Sequence, residues 1–558
     1  MPMSDPRLAA IETFLATSGW AEAIRTPLAG DASARRYFRL RHGARTAVLM
    51  DADPARGERL GPFLAVGSWL RSRALSVPQV LAADEARGFL LLEDFGDGLF
   101  ARLVADDPGR ETGLYRLATD VLADLHEHPP PAFVARADGR ELGDLVRLLG
   151  DYYLPAAGSD PAGADRIAKA IEALYEQLND RPPVLSLRDF HAENLILLPD
   201  RTGVARAGLL DFQDAFATHP AYDLVSLLQD ARRDVTPATE TACLTAYVAR
   251  KGLDQGRFSA IYALLGAQRA LRILAVFARL ARRDGKTRYL AHMDRVWGYL
   301  LRNLGHPDLA ALRKMISTIL PAPDDRLKAF LSAPRPEALM LFAAGLGTRM
   351  RPLTDHLPKP LIKVAGRALI DHALAQATGI DRVVVNIHYH ADKMRAHLAD
   401  RPGLLFSDES DRLLETGGGL KKALPLLASD PVLVLNTDAV WSGPSAQETL
   451  VRHWDPARME ALLLLLPRER ALGHLGAGDF LLGDDGRLTR GAGCVYTGAH
   501  ITRTGPISAR PEEVFSLNPV WDRMAAEGRL FGVIHPGGWC DVGRPEAISL
   551  AEAMLRDV

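Results

Sequence analysis

Cysteine is scarce. Cys243, Cys494 and Cys540 are the only three in 558 residues, and their wide spacing excludes a disulfide framework or a zinc site built on paired cysteines. A reducing, cytoplasmic setting is the expectation. An excess of either charge is missing too. Sixty-seven Lys and Arg stand against sixty-nine Asp and Glu, so no global basic field exists to hold nucleic acid or an anionic membrane, and small molecules are the expected partners. Long apolar runs are also absent: Ala461–Leu466 stops at Pro467 and Ala338–Ala344 stops at Gly345, both short of the ~20 residues a membrane helix needs. Both read as buried strands. Met1–Ala23 shows no basic segment leading into an apolar stretch, so no secretory leader is expected. Tandem repeats and low-complexity tracts do not occur.

The length exceeds what one hydrophobic core organises, which implies at least two domains. Residues 24–50 read as strand, turn, strand: Arg36–Leu40, a turn at His42-Gly43, then apolar Thr46–Met50. Phe89–Gly96 reads as a further strand that ends in a glycine-containing bend. Helical periodicity then dominates to about residue 316, as in Leu114, Leu117, Val121, Leu122 and Leu125. Prolines 321, 323, 334 and 336 mark a linker, which places a first domain at 1–320 (sheet lobe to about 95, helical lobe after it), a linker at 321–336 and a second domain at 337–558. Beyond it, short apolar strands (Leu339–Ala343, Arg382–Ile387, Val432–Asn436, Ala461–Leu466) alternate with helices. That pattern predicts a mainly parallel sheet covered on both faces.

Phosphoryl transfer needs a carboxylate to orient the attacking hydroxyl and oxygen ligands for the magnesium on the nucleotide. Asp189 can serve as the base; Asn194, five residues on, and Asp211, after the apolar Ala207–Leu210, have the spacing of metal ligands. Leu187-Arg188-Asp189-Phe190-His191 with Leu210-Asp211-Phe212-Gln213-Asp214 resembles the aminoglycoside phosphotransferase family over roughly residues 5–315. The resemblance implies an α+β bilobal protein-kinase-like fold, magnesium held by Asn194 and Asp211, and adenine contacts from the backbone around Glu93–Phe95. Two departures stand out. The phosphate-binding hairpin carries one glycine, Gly30, beside Ser33, and Met50 occupies the position of the usual lysine on the third strand. Positive charge for the phosphates must come from elsewhere, with Arg35 and Arg36 as candidates.

In the second half, Gly345 and Gly347 let the backbone of Ala344–Thr348 approach a triphosphate, while Arg349 and the proline-flanked Lys359 supply cations. This stretch, with Leu414-Glu415-Thr416-Gly417-Gly418-Gly419, Asn436-Thr437-Asp438, Val495–His500 and Trp539-Cys540-Asp541, resembles the sugar nucleotidyltransferases. It is most similar to the short uridylyltransferases that make UDP-N-acetylmuramate. The resemblance implies an α/β Rossmann-like domain in which Gly417 and Gly418 belong to a loop at the nucleotide. Glu415 and Gly498 then border the sugar phosphate, and Asp438 with Asp541 hold magnesium.

A sugar kinase followed by a nucleotidyltransferase implies a two-step route through a sugar 1-phosphate, with ATP and UTP consumed in turn. The pairing resembles the anomeric amino-sugar kinases and the N-acetylmuramate 1-phosphate uridylyltransferases of peptidoglycan recycling. Arg269 and Arg272, which interrupt the apolar helix Ile261–Leu280, can pair with a substrate carboxylate such as a lactyl group. A solvated arginine stripe is the alternative. Another hexose as substrate, or a kinase-like half that only regulates the transferase, also remains open at this stage.

Overall fold

The computed structural model describes residues 6–28, 35–401 and 403–556. They gather into two compact units: Met1–Gly150, Asp160–Val276 and Ala291–Ala322 form the first, and Asp151–Ser159, Phe277–Leu290 and Pro323–Val558 the second. The stretch 321–336 carries an ordered helix, Asp325–Ser332, whose first turn is capped by the Asp324 carboxylate accepting the Leu327 N–H at 2.8 Å; Leu327 and Leu331 are buried.

The first unit opens with the helix Pro6–Thr17 and a five-stranded antiparallel sheet in the spatial order Ile24–Leu28, Arg36–His42, Arg45–Asp51, Phe89–Leu92, Val80–Asp84. Ile11, Phe14 and Leu15 of the helix pack on Leu40, Ala47, Leu49, Phe89 and Leu91. Because successive strand residues point to opposite faces, Tyr37, Arg39, Val48 and Met50 face away from that helix. A helical lobe follows. Its helix Gln255–Arg282 has no exposed residue from Ala260 to Leu271. By length and composition this helix is long and apolar enough to cross a membrane, and 83% of its apolar window is buried inside the protein. Two antiparallel pairs, Val184–Ser186 with Phe216–Thr218 and Leu195–Leu197 with Ala207–Leu209, bring the segments around Asp189 and Asp211 together.

The second unit is built on a mixed sheet with the order Leu404–Asp408, Arg382–Ile387, Ala338–Phe342, Val432–Asn436, Cys494–Thr502, Ala461–Pro467, Leu530–Ile534. Neighbours are parallel except that Cys494–Thr502 runs against both of its own. The strands read as unbroken apolar runs because both faces are covered: Met340, Val434 and Leu463 enter one core, Leu341, Leu435 and Leu464 the other. The carboxyl ends of Ala338–Phe342 and Val432–Asn436 deliver the glycine loop and Asp438 to one edge, where open α/β sheets place ligands.

Candidate active sites

In the first unit the segment 186–189 is clamped from below. Asp223, the one acid in the wholly buried helix Ala221–Leu228, accepts the Ser186 hydroxyl (2.7 Å), the Leu187 N–H (2.7 Å) and the Arg188 N–H (3.1 Å). Burial pushes its carboxyl up to about 6 even though these donors pull the other way. Arg188 (φ 68°) and Asp211 (φ 56°) are held in left-handed backbone that costs a non-glycine residue about 1–3 kcal/mol. Asn194 donates from its side chain to the Asp189 carbonyl at 2.8 Å, and its own carbonyl accepts the Leu210 N–H at 3.0 Å. The register Leu195↔Leu209 thereby sets Asn194 beside the residue preceding Asp211.

The Asp189 side chain is 41% exposed, open to an incoming hydroxyl. Burial acts to raise its carboxyl, but the charges of Arg269, His191, Arg272 and Arg188 outweigh that and hold it below the usual carboxylate range. It stands as an anion able to accept a hydrogen bond. Arg269 is buried, donates to the Arg188 carbonyl at 3.0 Å and lies 3.3 Å from Asp189. Arg272 reaches the Tyr222 hydroxyl at 3.4 Å and adds charge at the same place. The two arginines expected to bind substrate are therefore neither a solvated stripe nor distant from the base: they surround it, and Arg269 holds its segment. His191 is buried beside Arg232 at 3.2 Å, and burial lowers its basicity.

Gly30 and Ser33 lie outside the described residues. Arg35 pairs with Glu58 at 2.8 Å, and Arg36 with Asp51 at 2.5 Å. The Glu93 carboxylate is engaged with Arg201 (2.6 Å) and the Gln79 N–H (3.2 Å), and Arg201 lies over the Phe95 ring at 5.1 Å. These side chains hold the segment after Phe89–Leu92, where the Glu93 N–H also donates to the Gln79 carbonyl at 2.8 Å.

In the second unit, the Ala343 N–H donates to the Asn386 side chain (2.7 Å), and Asn386 donates to Glu409 (2.8 Å), which also accepts the Leu414 N–H (3.2 Å). Glu409 is fully buried and burial raises its carboxyl. This chain of bonds ties the loop Ala343–Arg349 to the start of the helix Glu415–Leu427. Gly347 is held at φ 63°, where a side chain is strained, and a Cβ there would press on the Lys359 and Thr354 side chains at 3.0 Å. Lys359 then meets Asp438 at 2.9 Å. The antiparallel pair Ala439–Trp441 with Trp539–Asp541 sets Ala439 opposite Asp541, and the Val542 N–H donates to the Asp438 carbonyl at 2.8 Å, so the two acids lie side by side. Burial and then the charge of Asp438 raise the Asp541 carboxyl, against the pull of Lys359, Arg349 and His474. Two neighbouring carboxylates with cations around them suit a magnesium ion arriving on a triphosphate, which needs only one or two protein ligands. Among the described residues no three His, Cys, Asp or Glu side chains converge as a metal set.

The reading of Leu414–Gly419 as a loop is corrected: from Glu415 onward it is the first turn of a helix. The N–H groups of Gly417 and Gly418 both donate to the Phe515 carbonyl (2.8 and 3.0 Å), and a Cβ on either would collide with residues 513–515. These glycines permit close packing, and Glu415 (φ 59°) turns the chain into the helix. Gly498 (φ 86°) sits at a bulge opposite Leu464, where a Cβ would meet Asn436 at 2.8 Å. Arg349 and Thr348 are exposed at the mouth of the glycine loop. Sequence reasoning missed Asp223, Asn386 and Glu409. The only local signal was an acid or amide inside or at the end of an apolar segment.

A model of the phosphotransferase enzyme family matches residues 24–261, and one of the MobA-like NTP transferase domain matches residues 339–476. The chain is similar to the N-acetylmuramate/N-acetylglucosamine kinase of Caulobacter vibrioides, 39% identical over 58% of this chain and 99% of the relative. It is also similar to the N-acetylmuramate alpha-1-phosphate uridylyltransferase of the same organism, 44% identical over 40% of this chain and 98% of the relative. The kinase of Pseudomonas aeruginosa is 32% identical over 55% of this chain and 93% of its own length.

Proposed function

The chain belongs to the N-acetylmuramate/N-acetylglucosamine kinase family in its first part and to the N-acetylmuramate alpha-1-phosphate uridylyltransferase family in its second, and from that premise we propose that one polypeptide carries out both steps. It is a bifunctional enzyme of peptidoglycan recycling that turns N-acetylmuramate, and in the first step N-acetylglucosamine, into an anomeric phosphate, and then makes UDP-N-acetylmuramate. The observation that carries this reading is that nearly the whole length of each relative is spanned, in series, with a separate constellation of charged residues in each unit.

In the first reaction the anomeric hydroxyl oxygen attacks the γ-phosphorus of ATP, its proton passes to Asp189, and ADP leaves. Arg269 and Arg272 keep Asp189 ionised and oriented. Asn194 and Asp211 would hold the magnesium of the nucleotide. In the second, a phosphate oxygen of the sugar 1-phosphate attacks the α-phosphorus of UTP and pyrophosphate leaves, with Arg349 and Lys359 opposing the charge that develops and Asp438 and Asp541 as the magnesium residues. Magnesium, when bound, neutralises phosphate charge in both reactions. Gly345, Gly347 and the backbone of Ala344–Thr348 approach the triphosphate, and Gly498 makes room for the sugar.

The test is direct. The intact chain is incubated with N-acetylmuramate and ATP, then with UTP, and products are identified by mass and by phosphorus NMR. A 1-phosphate followed by UDP-N-acetylmuramate and pyrophosphate is expected. A 6-phosphate, or no phosphorylation of an amino sugar, overturns the reading.

A further inference from the structure

A kinase sheet lobe needs a cation against the nucleotide phosphates, and in this chain the strand position that would carry a lysine is Met50, fully buried. Two arginines lie nearby in sequence, and strand geometry separates them. The register Arg36↔Asp51, Tyr37↔Met50 puts Arg36 on the face that packs against the helix Pro6–Thr17. There Asp51 is held by Arg36 and by Arg7 of that helix, each at 2.5 Å. Arg36 therefore works in the seam between helix and sheet. Tyr37, Arg39 and Met50 occupy the other face. Arg39 on this face reaches Asp94 at 2.9 Å, in the segment expected to meet adenine. Tyr37 on the same face is partly buried and feels the charges of Arg35, Asp211 and Glu58. Asp211, the proposed magnesium residue, and the Arg35–Glu58 pair thus lie near the same tyrosine.

Arg35 immediately precedes the strand, on the parity of Tyr37. Its side chain is only 9% exposed and is fixed by Glu58, itself 17% exposed, at 2.8 Å. Burial works against the charge, and Tyr37 and Glu58 more than restore it. A guanidinium offers five N–H donors in a planar fork, so it can keep one edge on a carboxylate while another meets a phosphate.

We propose that Arg35, positioned by Glu58 and Tyr37 on the cleft face of the sheet, is the residue that pairs with the ATP phosphates in place of the absent strand lysine. The proposal rests on the kinase reading above and goes further by assigning the cation. Arg35 touches the nucleotide; Glu58 acts through Arg35 and is a positioning residue.

The experiment uses the full chain, with N-acetylmuramate saturating and ATP varied. Arg35→Ala is expected to lower kcat/KM for ATP by about 10²–10³-fold, as loss of a preorganised charged donor does. The sugar KM and uridylyl transfer from supplied sugar 1-phosphate should stay within about threefold, the scatter of a bystander change. Arg35→Lys should recover part of the loss. Glu58→Gln should raise the ATP KM by about tenfold with a smaller effect on kcat, because the cation is present but no longer aimed. Placing a cation on the neighbouring strand, as Arg35→Ala with Met50→Lys, should restore activity above Arg35→Ala, which a purely structural role would not allow. Melting is followed for each variant; if Arg35→Ala loses its transition, Arg35→Gln carries the same comparison. A folded variant without Arg35 that keeps kcat/KM for ATP within about threefold of the parent overturns the assignment and leaves the kinase reading standing. A parent chain that phosphorylates no amino sugar removes both.

Discussion

Asp223 makes the sharpest prediction, because it touches neither substrate and yet fixes the catalytic segment. Asp223→Ala removes three hydrogen bonds, to the Ser186 hydroxyl and the Leu187 and Arg188 N–H groups, at a fully buried position. Bonds to a charged acceptor contribute ~1.5–3 kcal/mol each, and donors left buried cost ~1–3 kcal/mol. With water entering the vacated space, a net loss of about 3–5 kcal/mol is expected, the upper range for one substitution. Arg188 at φ 68° also loses what holds it in left-handed backbone, and its relaxation moves Asp189, the next residue. A displacement of ~1 Å of a catalytic group costs about 10²-fold in rate. The expectation is therefore a kcat for sugar phosphorylation lower by about 10²-fold or more, a lower melting temperature for the first unit and unchanged uridylyl transfer. Asp223→Asn keeps the shape but turns an amide N–H toward a donor, so it should fall between the two. Titration gives a second readout. Burial raises this carboxyl to about 6, so it binds its proton in the folded state before the unfolded state does. The contribution of the group to stability is thus greatest at low pH and declines as pH rises through about 6, whereas the three-bond clamp needs the anion and weakens as pH falls below it. Phosphorylation should drop below pH 6 more steeply than melting does. A folded Asp223→Ala chain with parental kcat refutes the reasoning.

Asp189→Asn should lower sugar phosphorylation by ~10²–10⁴-fold while uridylyl transfer from supplied sugar 1-phosphate continues, measured by coupled ADP release and by UDP-sugar formation. Near-parental phosphorylation would exclude Asp189 as the base. Asp438→Ala, which removes the partner of Lys359 and the carboxylate beside Asp541, should stop pyrophosphate release and let sugar 1-phosphate accumulate in the full reaction; normal UDP-sugar output would take Asp438 out of the site. Gly498→Ala forces a Cβ to within 2.8 Å of Asn436 in a φ 86° backbone, so uridylyl transfer should weaken and melting of the second unit fall, an effect of about 1–3 kcal/mol. Burial lowers His500 to about 3, so between the ordinary value near 6.5 and 3 the unfolded state binds a proton that the folded state refuses, and stability declines as pH falls through that window. His500→Gln, which keeps an acceptor for the Tyr496 hydroxyl, should flatten this decline in a melting-versus-pH series; parallel curves would show that the acid sensitivity arises elsewhere.

Sequence alone determined what depends on short separations and on period. Strands such as Ala461–Leu466 were legible because both faces of their sheet are buried, which leaves an unbroken apolar run. Asp189, Asn194 and Asp211 were legible because one short hairpin links them, and Gly347 with Lys359 because a tight loop must close over the next few residues. Tertiary structure decided the rest. Asp223 lies far along the chain from the segment it holds, and Arg269 farther still; a charge inside an apolar helix is the local signal each one gives, and it does not say what either holds. One residue of strand parity sends Arg36 to the helix seam and Arg35 to the cleft, and that parity follows from the pairing Arg36↔Asp51. Gly417 and Gly418 read as a loop at the nucleotide because glycine spacing is the same for a ligand loop and for close backbone packing; only the approach of residues 513–515 separates the two. The segments 151–159 and 277–290 cluster with the second unit, although their sequence neighbours belong to the first. Chain order cannot show that, since burial is set by which surfaces meet in space and composition alone does not say which ones will.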